Sequence, residues 1–134
     1  MKLAQRQALV TIEGIPGLWA TKSGGNVSAD TTPVWDGGAD TPEILAAPAA
    51  AENVTVSRPF DDQRDLPELA RLRRLVGKFR GTITVQPTDQ DLFPIGPATV
   101  YPNALLVTLS EPEFDASSGD AQMIELELAI SQYV

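Results

Sequence analysis

The sequence predicts a mainly β protein: a β-sandwich or flattened barrel with one flanking helix and a long protruding arm. Three observations carry this. Short stretches of alternating apolar and polar residues recur along the chain, separated by turns rich in Gly, Pro and Asp. Only residues 61–80, DDQRDLPELARLRRLVGKFR, show convincing helical periodicity. Residues 23–51 show neither signal and exceed the usual length of a connection. At 134 residues the chain fits a single domain, 1–134, with the arm at about 23–51 and the helix at about 61–77.

The N-terminus, MKLAQRQALVTIEG, has its apolar stretch broken by Gln5, Arg6 and Gln7 and shows no small-residue cleavage site. It reads as mature sequence leading into a strand rather than as a signal peptide. From Gln7 to Glu13 the residues alternate, with Ala8, Val10 and Ile12 on one face. Ile15-Pro16-Gly17 reads as a turn, because Pro presets φ and Gly supplies a positive one. Leu18 to Lys22 would then return as the second strand of a hairpin. In the arm, Val27 to Trp35 has extended character, and Trp35, Ile44 and Leu45 are large apolar residues with no obvious core to enter. An arm of this kind is expected to order against a partner.

Asn53 to Pro59 reads as a strand with Val54 and Val56 inward. In the helix, Asp65-Leu66-Pro67-Glu68 fits a capping box, with Asp65 as N-cap and Glu68 at N3. Pro67 lies in the first turn, where its missing N–H costs nothing, and Gly77 suits the position past the end. Leu69, Leu72, Leu75, Val76 and Phe79 share one half of the helix. Arg64, Arg71, Arg74 and Lys78 form a stripe on the other. Phe79 to Pro87 alternates again. Ala98 to Ser110 is a strand with an irregularity expected at Pro102, and Leu105, Val107 and Leu109 form its inner face. Met123 to Gln132 alternates most cleanly, with Ile124, Leu126, Leu128 and Ile130 inward and Glu125 and Glu127 outward.

Composition limits the chemistry. The chain has no Cys and no His, which removes thiol and imidazole nucleophiles, Ser-His-Asp triads and zinc sites of the usual kind. No phosphate-binding glycine motif is present. Glu125 and Glu127 lie about 7 Å apart by strand rise, a spacing found in inverting glycosidases. Plain alternation places them on the outer face without invoking catalysis. The Asp-rich loops (Asp36 to Asp40, Asp89 to Asp91, Asp115 to Asp120) fit turn chemistry better than any metal loop. No enzyme activity, cofactor or metal is expected. No apolar run approaches the ~20 residues of a membrane-spanning helix, so no membrane insertion is expected.

The net charge is −8, and it is unevenly placed. Most of the bases lie between Arg58 and Arg80, and none follows Arg80, whereas Asp and Glu continue to the end. Such a chain is a poor binder of nucleic acid backbone. A basic stripe and an acidic half are instead the two unlike patches a head-to-tail contact between copies requires.

The order of features resembles a known family. The residues that carry it are Trp35-Asp36-Gly37-Gly38 in the arm and Arg58-Pro59-Phe60-Asp61 before the helix. Phe79-Arg80-Gly81-Thr82-Ile83-Thr84-Val85 follows it, then Asp91 with Pro94-Ile95-Gly96. Tyr101-Pro102-Asn103-Ala104-Leu105-Leu106, Leu109-Ser110-Glu111-Pro112-Glu113-Phe114-Asp115, Ser118-Gly119-Asp120 and the strand from Met123 complete it. This ordered set resembles the major tail tube proteins of long, non-contractile bacteriophage tails, whose fold is shared by the tubes of contractile tails and of type VI secretion.

The resemblance implies a virion structural protein that assembles into stacked, hexameric rings forming a hollow tube through which DNA passes without sticking. Its partners would be other copies of itself, with tape measure, tail terminator and tail tip proteins, in a virion tail assembled in the bacterial cytoplasm. Arg64, Arg71, Arg74, Lys78, Trp35, Ile44, Leu45, Glu111, Glu113 and Asp115 become candidates for subunit contacts. Glu125 and Glu127 become candidates for the lumen lining. The alternatives are a tube subunit of a contractile injection system or a β-sandwich carbohydrate-binding or adhesion module.

Overall fold

The structure, a computed structural model, describes residues 2–131. Gln132, with which the last strand was expected to end, lies outside them. Val10 and Ile12 are buried from β1 (Ala8–Ile12), as are Ile15 and Trp19 from β2 (Ile15–Trp19). The turn joining these strands is Glu13-Gly14, with Gly14 at φ +91°. The expected turn at Ile15-Pro16-Gly17 is therefore displaced, because Ile15 is buried and pairs with Ile12 as strand. Leu18 to Lys22 is not one strand either. It breaks at Ala20, and β3 (Thr21–Gly24) joins a different part of the sheet.

The arm follows as a two-stranded ribbon. β4 (Val27–Ser28) pairs with β7 (Ala50–Ala51), and β5 (Thr31–Val34) pairs with β6 (Glu43–Ala46). Ser23 and Gly24, expected in the arm, belong to the sheet through β3. The chain then enters β8 (Val54–Pro59), helix α1 (Leu66–Leu75), β9 (Arg80–Pro87), β10 (Thr99–Ser110) and β11 (Met123–Ala129).

Seven strands form one antiparallel sheet in the order β2-β1-β9-β10-β11-β8-β3. Its two edge strands, β2 and β3, are separated in the chain only by Ala20. Edges joined by one residue must meet at that residue, so the sheet curls into the expected flattened barrel. Ala20 donates its N–H to Ser57 O at 3.0 Å and holds the seam. Val54, Val56, Ile83, Tyr101, Ala104, Leu106, Ile124, Leu126 and Leu128 fill the interior, and Leu72 from α1 closes it. Each buried Val, Ile or Leu among them contributes about 1.5–3 kcal/mol by leaving water.

On β10 the inner residues are Tyr101, Ala104 and Leu106, not the expected Leu105 and Val107. The register shifts between Tyr101 and Ala104, where Asn103 adopts φ +57°, and again between Leu106 and Thr108. The first irregularity is the one expected at Pro102. A one-residue slip exchanges the faces of everything beyond it. After the second slip Leu109 returns to the core side, as expected.

The helix begins at Leu66, later than the expected residue 61, and ends at Leu75. Asp65 occupies the N-cap position without a side-chain capping bond, so the capping box does not form. Its carboxylate is engaged by Arg58 and Arg64 instead. The preceding turn is held by Asp61, whose Oδ1 accepts from the N–H groups of Gln63 at 2.9 Å and Arg64 at 3.2 Å. Past the other end, Gly77 adopts φ +81°, as a terminating glycine should, and its N–H donates to Leu106 O of β10 at 2.7 Å.

Candidate assembly surfaces

The arm and the helix leave opposite ends of β8. The arm enters at Val54, and the chain departs toward α1 from Pro59. By strand rise these points are about 17 Å apart. At the root of the arm, Gly25 donates to Asn53 O at 3.3 Å and Glu52 to Asn26 O at 3.0 Å. Asn26 Nδ2 also donates to Glu52 Oε1 at 2.6 Å. Beyond the root nothing covers the ribbon: Trp35 is 62% exposed, and Ile44 and Leu45 are similarly open. Adjacent residues on a strand face opposite ways, so Ile44 and Leu45 present apolar surface on both faces of the ribbon.

The helix stripe divides into two parts. Arg64 donates to Asp65 Oδ2 at 3.2 Å. Arg71 donates from Nε to Glu68 Oε2 at 2.6 Å and from Nη2 to Gly14 O at 2.8 Å. Arg71 thus fastens the helix to the barrel, while Arg64 is held at the helix start. Arg74 and Lys78 are exposed and, among the described residues, form no ion pair. Arg73, outside the expected stripe, pairs through Nε with Glu111 Oε1. That hydrogen bond raises the Arg73 pKa and holds the Glu111 carboxyl below its ordinary value. Glu111 is thus already matched within its own chain. Glu113 and Asp115 lie on the exposed loop beyond it, and Asp115 is held below the usual carboxylate range by the Ser117 hydroxyl and N–H.

Glu125 and Glu127 point outward from β11, as alternation requires. Register places Glu125 between Ser57 and Ser110, with Thr21 beside Ser57. It places Glu127 between Thr55 and Thr108, with Ser23 beside Thr55. Two rungs of hydroxyls and carboxylates therefore cross four adjacent strands. Glu127 Oε1 accepts from Asn53 Nδ2 at 2.9 Å.

A buried cluster was not expected from the sequence. Arg58 packs over the Trp19 ring at 4.1 Å and donates from Nη1 to Pro16 O at 2.6 Å. Its other terminal nitrogen, Nη2, bonds Asp65. A basic residue in strand alternation with Val54 and Val56 was the available signal, since that spacing turns Arg58 inward.

No family model matches the chain, and no curated protein matches it. Solved structures do. The cap of the anti-feeding prophage, its tube-terminating cap, matches with a TM-score of 0.83 and 17% identity, over 100% of this chain and 90% of that one. The sheath/tube terminator of the PVC extracellular contractile injection system in its extended state matches at 0.83 and 21%, over 100% and 96%. The PVC sheath-tube complex in the extended state matches at 0.79 and 21%, over 99% and 90%. The chain therefore has the fold of tube-system proteins along essentially its whole length.

Proposed function

We propose that this chain is a structural subunit that assembles with its own copies into hexameric rings, stacked into the hollow tube of a phage-tail-like particle. The observation that carries the reading is the full-length likeness to tube and tube-terminator structures. The uncovered arm supports it, because an isolated two-stranded ribbon is marginal in water and gains stability from a neighbour. So does the polar face of β3, β8, β11 and β10. Facing a lumen, Glu125 and Glu127 would repel nucleic acid in transit. Arg74, Lys78, Trp35, Ile44 and Leu45 would lie in contacts between copies, and tape measure, terminator and tip proteins would complete the particle.

The sequence resemblance names non-contractile phage tails, whereas the similar structures come from contractile systems, and we favour the contractile setting. Electron microscopy of the purified protein tests the reading. Tubes of uniform diameter with six-fold averaged rings are the expected result. A strict monomer at every concentration, even beside tail partners, would overturn it.

A second reading is a tube-terminating ring, favoured by the two terminator structures at a TM-score of 0.83. It predicts isolated rings that seal a tube end and never stack on one another.

A further inference from the structure

We propose that the loop between β10 and β11 of one copy docks in a cavity at the sheet seam of its neighbour, with Phe114 as the anchor and Glu113 and Asp115 meeting Arg6 and Lys22. This rests on the ring reading above and names a lateral contact within the ring. The cavity, of about 670 Å³, lies at the seam between the start of β1 and the start of β3. Leu9, Leu18, Val85 and Leu92 give it apolar walls. Arg6 and Lys22 are its charged groups, and no acid lines it. Neither base has an ion-pair partner among the described residues. Lys22 Nζ donates to Gly24 O at 3.0 Å and lies 5.4 Å from the centre of the Tyr101 ring. Trp19 also lines the cavity, and its Nε1 is buried without an acceptor among the described residues. Leu92 is held at the cavity at φ +65°, a strained conformation for a bulky residue. Its N–H donates to Asp89 O at 3.1 Å, and the next N–H, of Phe93, to Asp89 Oδ1 at 2.9 Å.

The loop has the complementary chemistry. Phe114 is 83% exposed, more than any other large apolar side chain among the described residues. Acids flank it on both sides, and neither Glu113 nor Asp115 pairs with a base among the described residues. An aromatic side chain between carboxylates matches an apolar cavity carrying two bases: the aromatic group leaves water while unlike charges meet. An oxygen of the incoming loop would also give Trp19 Nε1 its acceptor. Asp115 Oδ1 accepts from the Ser117 hydroxyl at 2.7 Å and the Ser117 N–H at 3.0 Å, so the anchor sits on a preformed turn and less ordering is needed on docking. The placement is directional. The loop leaves β10 at Ser110, and Ser110, Glu125, Ser57 and Thr21 are successive partners across β10, β11, β8 and β3. Thr21 lines the cavity. Loop root and cavity thus flank the polar face that carries Glu125 and Glu127, three strand spacings or about 14 Å apart. The exposure of Phe114 shows that the loop does not fill its own cavity. Unlike patches on two flanks join copies head to tail, and such a contact closes a ring when its rotation does. Every copy then presents the polar face to the same side of the ring.

The chain has no Cys, so introduced thiols report this contact alone. Ala116→Cys, beside the anchor, and Ala20→Cys, at the cavity, go into one chain; both alanines are exposed. Treating the assembled protein with a short bis-maleimide should give a ladder of linked species running past the dimer on denaturing gels. Each single-Cys variant should stay monomeric on the gel. In parallel, Phe114→Ala and Arg6→Glu should each raise the protein concentration needed for rings by about tenfold or more, read by sedimentation and electron microscopy. Adding Glu113→Arg to Arg6→Glu should recover part of that loss. Arg6, Glu113 and Phe114 are exposed, so circular dichroism and melting should match wild type in every variant. If wild type forms rings but the double-Cys chain gives nothing beyond a dimer, or Phe114→Ala assembles as wild type does, the docking is wrong and the ring reading survives. If wild type forms no rings, alone or beside tail partners, the ring reading and the docking both fall.

Discussion

Arg58 and Asp65 form an ion pair in the interior, Nη2 to Oδ1 at 2.5 Å, with side chains 2% and 1% exposed. The pair joins β8 to the start of α1, and Arg58 extends it to β2 through Pro16 O and the Trp19 ring. It thus ties the helix to the seam where the sheet's edges meet. Burial lowers the Arg58 pKa, and the Asp65 charge works in the opposite direction. Burial likewise pushes Asp65 up. Hydrogen bonds from the Arg64 side chain and the Asp61 N–H, with the Arg58 charge, outweigh it and hold the carboxyl below 3.8.

Breaking the pair leaves a buried charge uncompensated. Asp65→Asn is expected to cost about 3–5 kcal/mol, whereas Arg58→Met combined with Asp65→Leu should recover much of that loss. Urea denaturation with an unchanged slope measures both. Equal losses in the single and double variants would show that the pair's charge balance is unimportant.

The same carboxyl sets an acid limit. Its folded pKa lies below its unfolded value, so the unfolded chain takes up the proton first. The stability it contributes is complete above the ordinary value of 3.8 and is lost as pH falls through the folded value. The melting temperature should therefore fall at acidic pH, and the fall should be shallower in Asp65→Asn. Parallel pH profiles for the two proteins would assign the acid sensitivity to other groups.

The root of the arm depends on Gly24. Its φ is +80°, and a Cβ there would lie 2.1 Å from Asn53 O, a backbone atom that cannot swing aside. Gly24→Ala is expected to cost more than the ~1–2 kcal/mol of a left-handed residue alone. Gly38, at φ +82° near the tip with no atom within 4 Å of its Cβ, should lose only that ~1–2 kcal/mol of left-handed strain when replaced by Ala. Equal melting of the two variants would contradict this account of the root.

Leu72 is the buried residue of α1. Leu72→Ala should cost about 2–5 kcal/mol, measured by chemical denaturation, because it empties the place where the helix meets the barrel.

Trp35→Ala removes a large exposed side chain from the arm. Its melting should match wild type while tube formation is impaired. Normal tubes from this variant would remove Trp35 from the assembly contacts.

Alternation in β1, β8 and β11 identified the inward Val10, Ile12, Val54, Val56, Ile124, Leu126 and Leu128 correctly, because residues on a strand must take opposite faces. The same rule misassigned Leu105 and Val107, since two register slips in β10 depend on its pairing with β9 and β11. Pro67 and Gly77 marked the helix within a few residues. Asp65 misled at its start: locally it fits a cap, but Arg58 from β8 claims its carboxylate.

The sequence by itself determined the β class, the single helix, the arm and the unequal placement of charge, all of which follow from local periodicity and composition. The tertiary structure alone decided which charges remain available. Whether Arg71 grips Gly14 O or Arg73 neutralises Glu111 depends on elements far apart in the chain. Charge pairing is a property of distance in space, and only the curled sheet fixes those distances.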